Sequence, residues 1–85
     1  MTERKGWAAM KELIEYIAKS IVDNPDEVVV NEVPATEGLI FRLEVAPDDM
    51  GKVIGRQGRV VKAMRTLLRV AALRAGTRVV LEIGE

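Results

Sequence analysis

The spacing of the apolar residues changes along this 85-residue chain, and the order of these changes restricts the folds that it can adopt. In residues 7–22 the apolar positions recur in steps of three and four, which predicts an amphipathic helix. These positions are Met10, Leu13, Ile14, Ile17, Ala18 and Ile21. The Asp-Asn-Pro-Asp run of residues 23–26 ends the helix, because the residue before a proline is disfavoured in the helical region.

Two segments with the composition of β-strands follow this helix. Residues 27–33 are rich in valine, and Pro34 indicates that this strand ends at a sheet edge or in a turn. Residues 39–45 alternate between apolar and polar positions, which predicts a half-buried strand. Its apolar face consists of Leu39, Phe41, Leu43 and Val45. The short connection between the two segments predicts an antiparallel hairpin.

The second half of the chain predicts two helices and a last strand. A short helix occupies residues 47–54, since proline is favoured in a first helical turn and Asp48 and Asp49 suit the positive end of the helix dipole. A longer helix over residues 59–75 precedes a capping glycine, and residues 77–83 alternate as a strand. The order helix–strand–strand–helix–helix–strand predicts an α+β domain whose three-stranded sheet has helices packed on one face.

The composition excludes several classes of function. Without cysteine the chain has no disulfide, thiolate metal site or thiol nucleophile, and without histidine it lacks the commonest base and metal ligand. We therefore predict no catalytic residue, no metal and no cofactor, and a binding module rather than an enzyme. The longest uncharged run, residues 6–10, is too short to span a membrane. No signal peptide is recognisable, so a cytoplasmic location is expected.

The charges are divided unevenly, although the chain has 13 basic and 13 acidic residues. Residues 50–81 contain eight basic residues and no acidic one, whereas acidic residues outnumber basic ones in residues 1–49. On a helical wheel of residues 59–75 the cations form one stripe, here called the basic stripe: Arg59, Lys62, Arg65 and Arg69. Charged stripes are usually solvated faces, but those mix both signs. A stripe of one sign favours a polyanionic partner.

An apolar stripe lies on the opposite side of the same predicted helix and is expected to face the core. It consists of Val60, Val61, Met64, Leu67, Leu68, Ala71, Ala72 and Ala75. Two apolar residues, Val70 and Leu73, fall instead at the angles of the basic stripe. Scattered exposed apolar residues are normal, but these two are also a candidate surface for self-association.

The basic stripe begins at the sequence Gly55-Arg56-Gln57-Gly58, here called the GxxG loop. Such a pattern alone is typical of a plain turn between helices. Here it follows an apolar pair within the basic block, and glycines allow close approach of a ligand to the backbone. Gly58 also precedes a helix, whose N-terminal amides favour a phosphate. The loop therefore predicts contact with a sugar–phosphate backbone.

Residues 53–61, Val-Ile-Gly-Arg-Gln-Gly-Arg-Val-Val, resemble the signature of KH domains, and the order of elements resembles their type II arrangement. Residues 21–28 and 50–68 extend the similarity to the KhpA family of single-domain bacterial KH proteins. The resemblance implies one type II KH domain over residues 1–85 that binds three or four nucleotides of single-stranded RNA between the loop and the sheet edge. The implied RNA-binding residues are Lys52, Val53, Ile54, Gly55, Arg56, Gln57, Gly58, Arg59 and Lys62.

Each implied residue has a chemical role. The two glycines admit the RNA backbone, the cations neutralise phosphates and Gln57 donates or accepts hydrogen bonds. Val53 and Ile54 form an apolar floor under the bases, although whichever of them faces the sheet is a core residue. Lys62 and Arg65 either continue the phosphate track or are only solvated.

The chain offers few aromatic platforms for base stacking. Trp7 and Tyr16 lie on the first helix, where packing is expected, and Phe41 lies in a strand. Stacking on an aromatic ring is worth roughly 1–3 kcal/mol per base, so binding is expected to be weak, salt-sensitive and tolerant of sequence. Two copies of the domain would raise the affinity.

The resemblance also implies partners and a cellular role. Members of the family self-associate as homodimers and pair with KhpB, a larger Jag-type protein that carries a KH domain. An RNA chaperone or post-transcriptional regulator with a role in cell-wall homeostasis and cell-length control is implied. One alternative is a protein-interaction adaptor that mainly dimerises with another KH protein. A reader of double-stranded DNA is disfavoured, because a strand follows the two helices.

Overall fold

In the part of the chain that the structure describes, three helices and three strands follow one another in the order that the apolar spacing predicts. The computed structural model describes residues 6–84. Its elements are α1 (Trp7–Ile21), β1 (Val29–Ala35), β2 (Gly38–Glu44), α2 (Met50–Ile54), α3 (Arg59–Ala75) and β3 (Val79–Gly84). Single turns of 3₁₀-helix occur at Pro25–Glu27, Pro47–Asp49 and Arg56–Gly58.

The strands form one mixed sheet in the order β1-β2-β3. β1 and β2 are antiparallel and are joined by a two-residue turn, which confirms the predicted hairpin. Pro34 of β1 lies opposite Leu39 of β2. Because β1 is an edge strand, the missing amide proton of Pro34 removes no hydrogen bond from the centre of the sheet. β2 and β3 are parallel, so the chain must cross over between them, and α2 and α3 form this crossover.

The helices cover one face of the sheet and leave the other open. On the covered face of β2, Leu39, Phe41 and Leu43 are at most 2% exposed. The buried residues of the two long helices are Met10, Ile14 and Ala18 in α1 and Val61, Met64, Leu68 and Ala72 in α3. On the open face Arg42 and Val80 are exposed. The predicted two-layer α+β fold is therefore confirmed. Within residues 6–84, no helix is long and apolar enough to span a membrane.

The two edge strands, β1 and β3, each begin two residues later than predicted, because turns occupy their expected first residues. Pro25–Glu27 forms a 3₁₀ turn, so β1 begins at Val29 and continues to Ala35 opposite Gly38. At the end of α3, the Thr77 amide donates to the Ala72 carbonyl and completes the helix cap, so β3 begins only at Val79.

Two side chains predicted to pack are exposed instead. Tyr16 is 72% exposed, because it lies two residues, or roughly 200° of helical rotation, from the buried Ile14. Leu67 is 48% exposed, since it lies at the margin of the apolar stripe whose centre is Leu68. Trp7, as predicted, packs against the core.

Candidate nucleic-acid interface

The backbone of the GxxG loop requires glycine at its first position. Gly55 has φ 78° and ψ 169°, a conformation that is essentially restricted to glycine. A Cβ atom at this position would lie 2.5 Å from Val60 Cγ2 and 2.8 Å from the Val60 backbone nitrogen. The loop therefore turns directly against the first turn of α3, and a side chain at residue 55 would push the two apart.

The second half of the loop is left-handed. Gln57 has φ 57° and ψ 25°, and Gly58 has φ 75° and ψ 17°. The Gly58 amide donates to the Gly55 carbonyl at 3.0 Å, which closes a tight turn and leaves Arg56 and Gln57 exposed at its tip. Within residues 6–84, no side-chain hydrogen bond caps the N-terminus of α3 behind this tip. The loop thus presents a polar tip in front of the positive end of a long helix.

The apolar pair before the loop is divided between core and surface. Val53 is fully buried, so its side chain is part of the core and does not line a surface groove. Ile54 is 37% exposed next to the loop. Of the two residues predicted to contact bases, only Ile54 is accessible to a ligand, whereas Val53 packs α2 against the core.

Three of the predicted phosphate-binding cations are uncompensated. Arg56, Arg59 and Lys62 are exposed, and no carboxylate of residues 6–84 lies within 4.0 Å of any of them. Lys52 differs, because its Nζ atom lies 3.3 Å from Oδ2 of Asp23. Both side chains of this pair are substantially exposed, so the pair adds little stability and Lys52 remains available to a phosphate.

A cleft of about 460 Å³ lies between α3 and β3. Leu68, Ala72 and Leu81 contribute apolar walls, and Arg65 and Arg69 bring the basic stripe to its rim. None of the loop residues 55–58 lines the cleft, which lies along the C-terminal half of α3. The basic stripe therefore runs from the loop at one end of α3 to the cleft.

The buried carboxylate of Asp49 has a role that differs from the predicted one. Asp49 is fully buried, and its side chain does not cap α2. Its Oδ1 accepts the Asp23 amide at 3.1 Å, and its Oδ2 accepts the amide and the side-chain nitrogen of Asn24, both at 3.0 Å. Asp49 therefore ties the turn after α1 to the start of α2. No spacing in the sequence distinguishes Asp49 from its exposed neighbour Asp48, and this role was missed.

Opposing effects act on the pKa of Asp49. Burial by itself raises the pKa of this carboxyl. The hydrogen bonds from Asp23 and Asn24, together with the nearby charge of Lys52, outweigh burial and lower the pKa below its ordinary value of 3.8. Asp49 is therefore ionised at neutral pH.

A solved structure has the same fold. A crystal structure of Aquifex aeolicus Era Y63A bound to GDP·AlF4⁻ aligns with a TM-score of 0.59 at 20% sequence identity. The alignment covers 88% of this chain but only 29% of the Era chain, so the likeness concerns one part of that larger protein.

The sequence comparisons are more specific. The family model for the KhpA/KhpB KH domain matches residues 11–83. Proteins named RNA-binding protein KhpA from Clostridium perfringens and Clostridium acetobutylicum are 57% and 58% identical over 74 residues. Each alignment covers 87% of this chain and 99% of the relative. The chain therefore belongs to the KhpA/KhpB family of KH domains, as its loop motif and its order of elements predict.

Proposed function

We propose that this protein binds short single-stranded segments of RNA through the GxxG loop. The observation that carries the proposal is the set of three uncompensated cations, Arg56, Arg59 and Lys62, around a glycine-built tip at the uncapped N-terminus of α3. The relatives of nearly the same length are named RNA-binding proteins, which supports the same assignment.

Each part of the loop has a physical role in this proposal. Gly55 and Gly58 keep side chains away from the tip, so a phosphate can approach the backbone amides. The three uncompensated cations and Lys52 neutralise phosphates, and Gln57 hydrogen-bonds the sugar–phosphate backbone. Ile54 supplies an apolar contact for a base. Binding of this kind is weak, because no aromatic side chain of residues 6–84 lines the cleft and Phe41 is fully buried in the core.

The test is RNA binding by a variant with a reversed loop charge. We expect Arg56→Asp/Gln57→Asp to abolish binding of a short unstructured RNA, measured by fluorescence anisotropy at two salt concentrations. Both side chains are exposed, so the thermal unfolding of the variant should match that of the wild type. Binding by the wild type should weaken with salt, since each phosphate contact releases counterions.

A matched control separates the loop from the net charge. Ala8→Asp/Lys11→Asp changes the net charge by the same amount on α1. The start of α1 lies beside Ala75, since a Cβ on Gly6 would be 3.4 Å from Ala75 Cβ. Ala75 is the last residue of α3, at the opposite end of that helix from the loop. The control should retain most of the affinity. Equal losses in both double variants would contradict a binding site at the loop.

We also propose that α3 carries the surface for self-association. Val70 and Leu73 are 50% and 73% exposed, and Leu67 one turn earlier is 48% exposed. Together they form an apolar strip on the outside of the helix. A strip of this kind also favours the second candidate function, an adaptor that pairs with another KH protein such as a KhpB protein.

Charge placed on this strip is expected to give a folded monomer. Val70→Glu and Leu73→Glu should each lower the mass measured by light scattering to that of one chain, because dimerisation would bury the new carboxylate. Tyr16→Glu is the matched control, since Tyr16 is as exposed as Leu73 but lies on α1. An identical mass for the wild type and both α3 variants would contradict this surface.

The wider role is proposed on the family assignment. The protein acts in the cytoplasm as an RNA chaperone or post-transcriptional regulator, alone or with a KhpB protein, and contributes to cell-wall homeostasis and cell-length control. Rescue of a deletion strain by the loop double variant would instead favour the adaptor function. Failure of rescue with intact dimers would favour RNA binding.

A further inference from the structure

Arg65 differs from the other members of the basic stripe. Its Nη2 atom donates to the backbone carbonyl of Leu81 at 3.2 Å. Among the described residues, the other stripe members, Arg59, Lys62 and Arg69, donate no side-chain hydrogen bond to the protein. Arg65 is therefore attached to the sheet by a hydrogen bond that its neighbours on the helix lack.

The carbonyl that holds Arg65 lies on the open edge of the sheet. Among the strands of residues 6–84, β3 pairs only with β2 and is therefore an edge strand. The carbonyls of Arg78 and Gly84 accept bonds from Leu39 and Val45 on the β2 side. In a parallel ladder alternate residues face the neighbouring strand, so the Leu81 carbonyl points away from β2. Arg65 thus reaches across from α3 and binds the outer edge of β3.

This placement puts a planar group with unused donors at the cleft. A guanidinium has five N–H donors in a rigid fork, and the Leu81 carbonyl occupies one of them. Arg65 also lines the cleft between α3 and β3. The cleft volume of about 460 Å³ is within the range of small-ligand pockets, so an unstacked nucleobase fits it. Leu68 and Ala72 provide apolar contact for the base.

We propose that Arg65 reads guanine in the bound RNA, an inference that rests on the proposed RNA-binding function. Guanine presents two neighbouring acceptors, O6 and N7, which match two parallel donors of a guanidinium. Adenine presents a donor beside N7, and each pyrimidine presents only one group at this edge. A phosphate contact requires only a positive charge, and Arg56, Arg59 and Lys62 near the loop provide it without any fixed geometry. A guanidinium held by a backbone carbonyl has the fixed geometry that discrimination between bases requires.

The experiment measures base preference rather than affinity alone. Two uridine-rich RNA oligomers that differ at one central position, guanosine or adenosine, are titrated by fluorescence anisotropy with the wild type, Arg65→Lys and Arg69→Lys. We expect the wild type to prefer guanosine by about five- to tenfold, the lower part of the range for a bidentate arginine contact. Arg65→Lys keeps the charge but loses the fork, so the preference should fall to near unity. Arg69→Lys, the matched change on the same rim, should keep it.

Base analogues test the contact without any change in the protein. Inosine keeps O6 and N7 and should bind like guanosine, whereas 7-deazaguanosine lacks N7 and should bind like adenosine. A wild type without guanosine preference, or an Arg65→Lys variant that retains it, would overturn the role of Arg65 and leave the proposed function standing. No binding of either oligomer by the wild type would overturn the proposed function and this inference together.

Discussion

Asp49→Ala is expected to lower the melting temperature by about 10 °C or more, because the substitution removes the acceptors of three hydrogen bonds at once. The amides of Asp23 and Asn24 and the side chain of Asn24 all donate to this buried carboxylate. Without it these donors have no partner within the turn. Thermal unfolding followed by circular dichroism measures the effect.

The neighbouring carboxylate is the control for this change. Asp48 is exposed, whereas Asp49 is fully buried. Asp48→Ala should therefore shift the melting temperature by a few degrees at most. Equal shifts in the two variants would mean that the carboxylate of Asp49 does not hold the turn after α1.

The same carboxylate predicts a pH dependence. The folded protein lowers the pKa of Asp49, so folding favours its ionised form. Its stabilising contribution is complete above the ordinary pKa of 3.8 and is lost as the pH falls through the lower pKa of the folded state. The stability advantage of the wild type over Asp49→Asn should therefore shrink on acidification below pH 3.8. A constant difference between the two proteins across this range would contradict the lowered pKa.

Gly55→Ala is expected to lower the free energy of unfolding by about 3 kcal/mol and to abolish RNA binding. The backbone of Gly55 lies in a region that other residues avoid. The added methyl group would also lie 2.8 Å from the backbone nitrogen of Val60, which cannot move without displacing the start of α3. Denaturant unfolding measures the stability, and anisotropy measures the binding.

Gly51, four residues earlier in α2, supplies the matched control. A Cβ on Gly51 would meet no atom within 4 Å, and its φ is not positive. Gly51→Ala should therefore raise the stability by about 0.5–1 kcal/mol, as expected for alanine in a helix. An unfolding midpoint of Gly55→Ala equal to that of the wild type would contradict the requirement for glycine at residue 55.

Much of the fold follows from local patterns in the sequence. The buried residues of α1 are spaced four apart at Met10, Ile14 and Ala18, and the buried residues of β2 are spaced two apart. These periods arise from the geometry of helix and strand, so they are readable without knowledge of any neighbour. The GxxG loop is readable for the same reason, because two glycines between helices in a basic block form a short contiguous motif.

Other features depend on residues that are far apart in the chain. Leu67 was predicted to be buried and is exposed, because the wheel shows the apolar side of α3 but not how wide a strip the sheet covers. Tyr16 is exposed for a related reason, since it lies on the side of α1 away from the buried residues Met10, Ile14 and Ala18.

The order of the elements, the covered face of β2 and the position of the GxxG loop all follow from local sequence, because each depends on periodicity or on contiguous residues. The packing of distant elements places Val53 in the core and Ile54 at the surface, and it brings Asp49 to a turn 25 residues before it and Arg65 to the carbonyl of Leu81. The Arg65–Leu81 contact arises because the crossover through α2 and α3 brings β3 beside β2, whereas the Asp49 contacts arise because the turn after α1 lies against the start of α2. No local pattern in the sequence records which distant groups become neighbours.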